Sequence, residues 1–236
     1  MNFVYRYPSL YSGKLIKRYK RFLADVELDT GEVVTAHCAN TGAMKGLCEP
    51  GSLVKLSKSD NPKRKLSYSW EIILVRDSWI GINTALPNRA VKAALEQRLL
   101  PFFGDYHEVR SEVPFGKESK SRVDFVLSKP EKKDIYIEVK NVTLAEGSTA
   151  MFPDAVTTRG QKHLKELMAL PPYCQGVMLY FINRKDCDRF SPSDACDPLY
   201  GELLRQAVAA GVMVLPLRFA ISPQGIEYIG MAELLL

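Results

Sequence analysis

Arg122-Val123-Asp124-Phe125-Val126-Leu127 and Ile135-Tyr136-Ile137-Glu138-Val139-Lys140 are separated by the polar turn Lys129-Pro130-Glu131-Lys132-Lys133. Each is short, apolar and alternating, which is the pattern of a strand, and the turn between them predicts a hairpin. Successive side chains on a strand point to opposite faces. Ile135, Ile137 and Val139 therefore share one face, and Tyr136, Glu138 and Lys140 the other. Val123, Phe125 and Leu127 likewise leave Asp124 on the opposite side of their strand. A pairing that buries the apolar faces together brings Asp124 beside Glu138. The spacing Glu-x-Lys is common by itself: it recurs as Glu118-Ser119-Lys120 and Glu131-Lys132-Lys133. Those two copies lie in polar turns, so context singles out Glu138-Val139-Lys140.

Two neighbouring carboxylates repel and raise each other's pKa unless a cation sits between them. An oxygen-only pair with room for water and a phosphate suits Mg²⁺ or Mn²⁺. Asp124, Glu138 and the main-chain carbonyl of Val139 are the candidate ligands, and Asp124, Glu138 and Lys140 the candidate catalytic set. Lys140 would orient or deprotonate a water, or stabilise charge in the transition state. The same residues also describe a plain salt bridge, Glu138–Lys140 or Asp124–Lys140, on a solvated sheet face. Downstream, Arg159, Lys162, His163 and Glu166 fall on one helical stripe. The start of that helix follows the site loop directly, so Arg159 and Lys162 are candidate phosphate contacts, with a solvated helix face as the alternative. His163 reads either as a proton-transfer group or as a surface hydrogen-bonding residue, and Glu96 as a remote extra acid.

Working outward, Asn88 is placed to cap a helix over Arg89–Leu100 with Val91, Ala94, Leu95 and Leu99 on its apolar stripe. Tyr106–Val113 precedes the two central strands, with a turn at Gly116-Lys117-Glu118-Ser119. A polar loop, Asn141–Ala155, leads to a helix starting near Thr158, where Thr158-Arg159-Gly160-Gln161 has capping-box spacing. Gly176–Ile182 reads as a buried strand, Leu199–Ala210 as a helix and Val212–Leu217 as a strand. A crossover helix between strands at 135–140 and 176–182 makes them parallel neighbours in a mixed α/β sheet.

Toward the N-terminus the pattern is short strands and turns. Leu15–Leu28 reads as one long leading strand, followed by Val33–Cys38, Ser52–Ser57, Leu66–Val75 and a fifth near Trp79–Asn83. The Gly-rich connection Asn40–Gly46 has room for one helical turn. Five strands in this length predict a small closed OB-like barrel over residues 1–82, ahead of an α/β domain over 83–236.

The net charge of +5 is concentrated in the barrel segment. Residues 1–80 hold 13 Lys+Arg against 8 Asp+Glu, whereas residues 81–236 hold 19 of each. Lys17, Arg18, Lys20, Arg21 and Lys63, Arg64, Lys65 are the densest clusters, and a polyanion would meet them first. Tyr19, Phe22, Tyr68 and Trp70 are available as stacking platforms, although each also fits a barrel core. Five scattered cysteines without a Cys-x-x-Cys pair predict free thiols in a reducing compartment. No apolar run is long enough to cross a bilayer, and the opening residues lack the features of a signal peptide. The expectation is a cytoplasmic protein that binds nucleic acid, not a membrane.

Further segments make the chain recognisable: Asn40-Thr41-Gly42-Ala43-Met44, Asn83-Thr84-Ala85-Leu86-Pro87-Asn88, Ser121–Phe125, Ile137–Leu144, Phe152–Leu164 and Asp197-Pro198-Leu199-Tyr200. With these it closely resembles the sugar fermentation stimulation protein A family of bacteria and archaea. The resemblance spans essentially the whole chain, and it departs at Ala39, where the family has proline. It implies an N-terminal OB-like domain followed by a PD-(D/E)-x-K nuclease-like domain, with Asp124, Glu138 and Lys140 at the nuclease positions. Val123 stands where that nuclease signature has its proline. The resemblance further implies DNA rather than RNA as partner, and a regulatory link to maltose utilisation. A non-catalytic DNA-binding regulator that keeps the nuclease fold is the alternative, since fold does not fix function.

Overall fold

The computed structural model describes residues 3–116 and 121–236; the Glu118-Ser119-Lys120 turn lies outside them. In chain order the strands are β1 Phe3–Arg6, β2 Tyr11–Tyr19, β3 Leu23–Leu28, β4 Val33–His37, β5 Leu53–Lys58, β6 Tyr68–Val75 and β7 Ser78–Gly81. Helix α1, Leu86–Glu96, and a short 3-10 turn precede β8 Glu108–Phe115, β9 Ser121–Ser128, β10 Asp134–Val142, β11 Leu144–Glu146 and β12 Thr149–Phe152. Then follow α2 Thr158–Met168, β13 Cys174–Ile182, β14 Arg189–Pro192, α3 Pro198–Ala209, β15 Met213–Ser222, β16 Gly225–Met231 and β17 Glu233–Leu234.

Strands β2 to β6 form the OB barrel, which closes where β4 meets β6 at Ala36↔Tyr68. Its alternating residues Leu15, Ala24, Val26, Val54, Leu56 and Trp70 fill the interior. The single strand expected over Leu15–Leu28 is two. Lys20 and Arg21 take positive φ (47° and 64°) and turn the chain back in a tight hairpin. Non-glycine residues enter that region at a cost, and no Gly, Asn or Asp announced the turn. The strand expected near Trp79 is not the fifth barrel strand. It is β7, which pairs with β6 and also touches β15 at Ile221↔Trp79, welding barrel and α/β sheet into one. Phe3–Arg6, expected within the barrel segment, pairs instead with β16.

The α/β half is built around β15-β13-β10-β9-β8. Strands β10 and β13 are parallel neighbours, and β8–β9 and β9–β10 are antiparallel hairpin pairs. Helix α1 covers one face through Ala90, Val91, Ala94 and Leu95, against Phe125, Leu127, Ile137 and Val139. Helices α2 and α3 cover the other through Leu164, Leu167, Tyr200 and Leu204, against Val123, Val126 and Tyr136. With helices on both faces the sheet has no broad solvated side, so the polar face expected for Tyr136, Glu138 and Lys140 is instead largely interior. The polar loop expected over 141–155 contains the hairpin β11–β12, which turns at Gly147 (φ 57°) and extends into a second, four-stranded sheet. Asn40–Gly46 forms turns and no helix.

Candidate metal and nucleic-acid site

The ladder between β9 and β10 runs from Ile135↔Leu127 to Ile137↔Phe125 and then stops. One step further, Asp124 and Glu138 would be opposite. Here β9 parts from β10, and the Asp124 carboxylate takes over the job of a ladder carbonyl. Its Oδ2 accepts from the Val139 backbone N–H at 2.7 Å. Its Oδ1 accepts from the Asn88 Nδ2 at 2.7 Å. Asn88 is therefore not a cap: α1 begins two residues before it, at Leu86, with Pro87 in its first turn, and Asn88 projects from that turn onto the acid.

Glu138 is 4 % exposed and is held from the opposite helix. Its Oε1 accepts from Lys140 Nζ at 2.8 Å and touches His163 Nδ1 of α2. Lys140 also lies 3.2 Å from the same His163 nitrogen. The salt bridge read as an alternative is thus present, but buried rather than solvated. His163, read as a surface residue, is 3 % exposed. The second carboxylate oxygen, Glu138 Oε2, is buried and has no protein partner. Burial, followed by the charge of Glu138, pushes the Asp124 carboxyl up to about 6, against the opposing N–H donors of Val139 and Asn88. Burial also raises Glu138, but the His163 contact and the Lys140 amine outweigh it and hold that carboxyl below its ordinary range.

These features fit a hard dication. A buried carboxylate oxygen without a donor is costly for an acceptor-only group, and a cation nearby would oppose both the burial and the Glu138 charge that raise Asp124. Among the described residues no set of three His, Cys, Asp or Glu converges as a metal cage. Two carboxylates with main-chain oxygen, water and phosphate are nevertheless the usual surroundings of Mg²⁺.

A cleft of about 590 Å³ opens beside this cluster, lined by Arg159, Lys162 and His163 of α2 with Arg122 and Glu112. The two cations expected to meet phosphate are therefore at the site. Lys162 is shared with Glu166 at 3.6 Å. The barrel cations divide. Lys20, Arg64 and Lys65 line a separate groove of about 630 Å³ with the exposed Phe22, and Lys63 is exposed in the same loop. Arg21 faces the segment before α2. Arg18 is spent as a clamp, donating to the carbonyls of Asn40 and Gly42. Lys17 pairs with Asp25 at 3.6 Å. Of the proposed platforms, Trp70 and Tyr68 are buried, and Tyr19 donates to Asp25. That leaves Phe22 as the aromatic available for stacking.

Reading the sequence missed Asn88 as a partner of Asp124 and undervalued His163. Asn88 had a signal, since Asn inside a first helical turn is unfavourable unless its side chain has other work. His163 stands one residue before Leu164 of the apolar stripe, at the edge of the buried face.

An OB barrel joined to a helix-flanked mixed sheet, with an acidic pair at a strand fork, defines the class of barrel-bearing proteins with a restriction-endonuclease-like core. Residues 16–82 match the sequence profile described as the SfsA N-terminal OB domain, and residues 85–225 that of the sugar fermentation stimulation protein RE domain. The chain belongs to the sugar fermentation stimulation protein family. It is 60% identical over 235 residues to a sugar fermentation stimulation protein homolog of Synechocystis, covering 99% of each chain. It is 61% identical to that of Crocosphaera subtropica, covering 99% of this chain and 98% of the relative. The structure of Pyrococcus furiosus SfsA in complex with Ca²⁺ superposes over 100% of both chains with a TM-score of 0.90 at 25% identity. No helix among the described residues is long and apolar enough to cross a membrane.

Proposed function

We propose that this protein is a divalent-metal-dependent phosphodiesterase acting on nucleic acid, DNA before RNA. The observation that carries the reading is the unpartnered, buried Oε2 of Glu138 beside an Asp124 whose carboxyl is pushed up to about 6. A dication supplied to both carboxylates would give the first a partner and oppose the burial and the Glu138 charge that raise the second. That a family member has been solved with Ca²⁺ agrees with an oxygen-lined site for a hard ion. Asp124, Glu138 and the Val139 carbonyl would hold Mg²⁺ or Mn²⁺, whose contribution is Lewis acidity toward the scissile phosphate.

The chain's own residues supply the rest. Asn88 and the Val139 N–H fix the Asp124 carboxylate, so it does not reorganise when a ligand arrives. Lys140, poised between Glu138 and His163, presents an amine where negative charge develops on the phosphate. His163 offers the adjacent proton-accepting or -donating nitrogen. Arg159 and Lys162 draw the backbone phosphates into the cleft at the start of α2. Asp124→Ala and Glu138→Ala should each lower Mg²⁺- or Mn²⁺-dependent cleavage by about 100- to 1,000-fold while leaving binding in place. A wild-type protein that cuts no single-stranded, duplex, branched or RNA substrate with either ion overturns the proposal.

The barrel groove favours a second reading, a non-catalytic and sequence-tolerant DNA-binding regulator, one that the family's name would connect to sugar use. Lys20, Arg64 and Lys65 around Phe22 combine charge with one stacking surface. This reading requires binding that survives loss of Asp124 and Glu138 and a regulatory phenotype indifferent to those substitutions.

A further inference from the structure

Asn40-Thr41-Gly42, Asn83-Thr84, Asn141–Thr143 and Phe152–Asp154 are not needed for the metal site, yet the fold gathers them in one place. Asn40, Gly42, Asn141, Thr143, Phe152 and Asp154 border a cavity of about 230 Å³ between barrel and sheet. The barrel loop is clamped over it from three directions. Arg18 donates to the carbonyls of Asn40 (2.9 Å) and Gly42 (3.1 Å). Thr84 donates to the Ala39 carbonyl at 3.1 Å, and the Met44 N–H to Asp154 Oδ2 at 3.3 Å.

The hydrogen bonds that fix these side chains leave specific groups unspent. Asn40 Oδ1 accepts from the Gly42 N–H at 2.8 Å, so its Nδ2 is the free end. Asn183 Nδ2 donates to the Gly81 carbonyl at 3.2 Å, which sets the orientation of that amide. The same nitrogen donates to Asn141 Oδ1 at 3.0 Å, so Asn141 Nδ2 is also free. Neither amide nitrogen has a partner among the described residues, and neither has Asp154 Oδ1. Two donors and an acceptor therefore stand beside the Phe152 ring in a space that suits one flat heterocycle. Asn141 follows Lys140 directly and lies three strand steps from Glu138, a span of about 10 Å. Gly42, Phe152 and Asp154 also border a groove of about 470 Å³ that continues to Arg21.

We propose that this cavity receives one unpaired nucleobase, reading its hydrogen-bonding edge, from a strand whose phosphates pass Arg21 on the way to Asp124 and Glu138. The inference rests on the phosphodiesterase reading and specifies its substrate as nucleic acid with a splayed or single-stranded nucleotide. A base stacked in a duplex cannot enter such a space without being turned out.

The test uses the full chain with Ca²⁺ and short single-stranded DNAs, in which one 2-aminopurine or one abasic residue is scanned along the strand. At one position 2-aminopurine emission should change on binding, and an abasic residue there should weaken affinity about 5- to 150-fold. The blunt duplex of the same sequence should show neither effect. Asn141→Asp keeps the acceptor for Asn183, and Asp154→Asn keeps the acceptor for Met44, so both should fold. Each should abolish the positional penalty while retaining salt-dependent binding. No sensitive position, no binding of single strands, or an unchanged penalty in both variants overturns the pocket. Cleavage in Mg²⁺ without a sensitive position defeats the pocket alone, and a sensitive position without cleavage defeats the phosphodiesterase reading alone.

Discussion

Asp124 is a carboxyl whose environment opposes its own ionisation. Its folded-state carboxyl sits near 6, against about 3.9 in an unfolded chain. A carboxyl raised on folding is most favourable when protonated, below its unfolded pKa, and loses that advantage as pH climbs through the folded value. Between about pH 4 and pH 7 the loss amounts to about 2–3 kcal/mol. Asp124→Asn should escape it. Asn keeps the acceptor for Val139, and a flip of the Asn88 amide restores the second bond. Denaturant melts without divalent ions should therefore show the variant gaining on wild type from pH 4 to pH 7; a constant difference would refute the assignment. Saturating Mg²⁺ should stabilise wild type and not the variant. For the same reason Mg²⁺ affinity should fall as pH drops below 6, where the ion must displace a proton.

At the level of elements, Asp197 ties two helices together. It caps α3 by accepting from the Tyr200 N–H at 3.1 Å, and it also accepts from the Thr157 N–H and from Gln161 of α2. Asp197→Ala leaves three donors unmatched and should cost about 2–4 kcal/mol by denaturant unfolding. Thr157→Ala, which removes a single cap bond to the Gly160 N–H, should cost about 1 kcal/mol. Equal losses would show that Asp197 acts as an ordinary cap. The cap of α2 is Thr157, one residue before the capping box read from Thr158–Gln161; three residues after Thr157 stands Gly160, so its cap is a single bond with no reciprocal glutamine. The limit of a one-dimensional pattern explains what else was legible. Strands β9, β10 and β13 and helices α2 and α3 stood out because their apolar positions repeat with a clear period. The Lys20-Arg21 turn did not, because alternation runs unbroken across it and no turn residue marks it. Strands β1, β14 and β17 were missed because they are short and stabilised by partners distant in sequence; β16 was missed although it forms a hairpin with β15. Of the site, the strand pattern singled out Asp124, Glu138 and Lys140, but the parity it assumed is not kept: Val123 packs on the face opposite Phe125 and Leu127, so Asp124 turns to Asn88 of α1 while Glu138 turns to His163 of α2. Asn88 and the burial of His163 depend on which helix covers which face, which periodicity cannot say.

Across the whole molecule, barrel and α/β core share one hydrogen-bonded sheet through β7 and β15. The expected consequence is a single cooperative unfolding transition by calorimetry; two resolved transitions would mean that the junction carries little energy. The basic excess on the first third should make DNA affinity fall steeply with salt. Reversing Lys20, Arg64 and Lys65 together should flatten that slope by about 2–3, and an unchanged slope would remove the barrel groove from the binding surface. The pairing of Phe3–Arg6 with the Gly225–Met231 strand has a consequence in time. On the ribosome the opening segment has no mate until more than two hundred further residues have been synthesised, a delay on the order of 10–40 s at ordinary elongation rates. The barrel can close early in that interval, whereas β1 finds its partner only after the barrel and the core strands between them have been made.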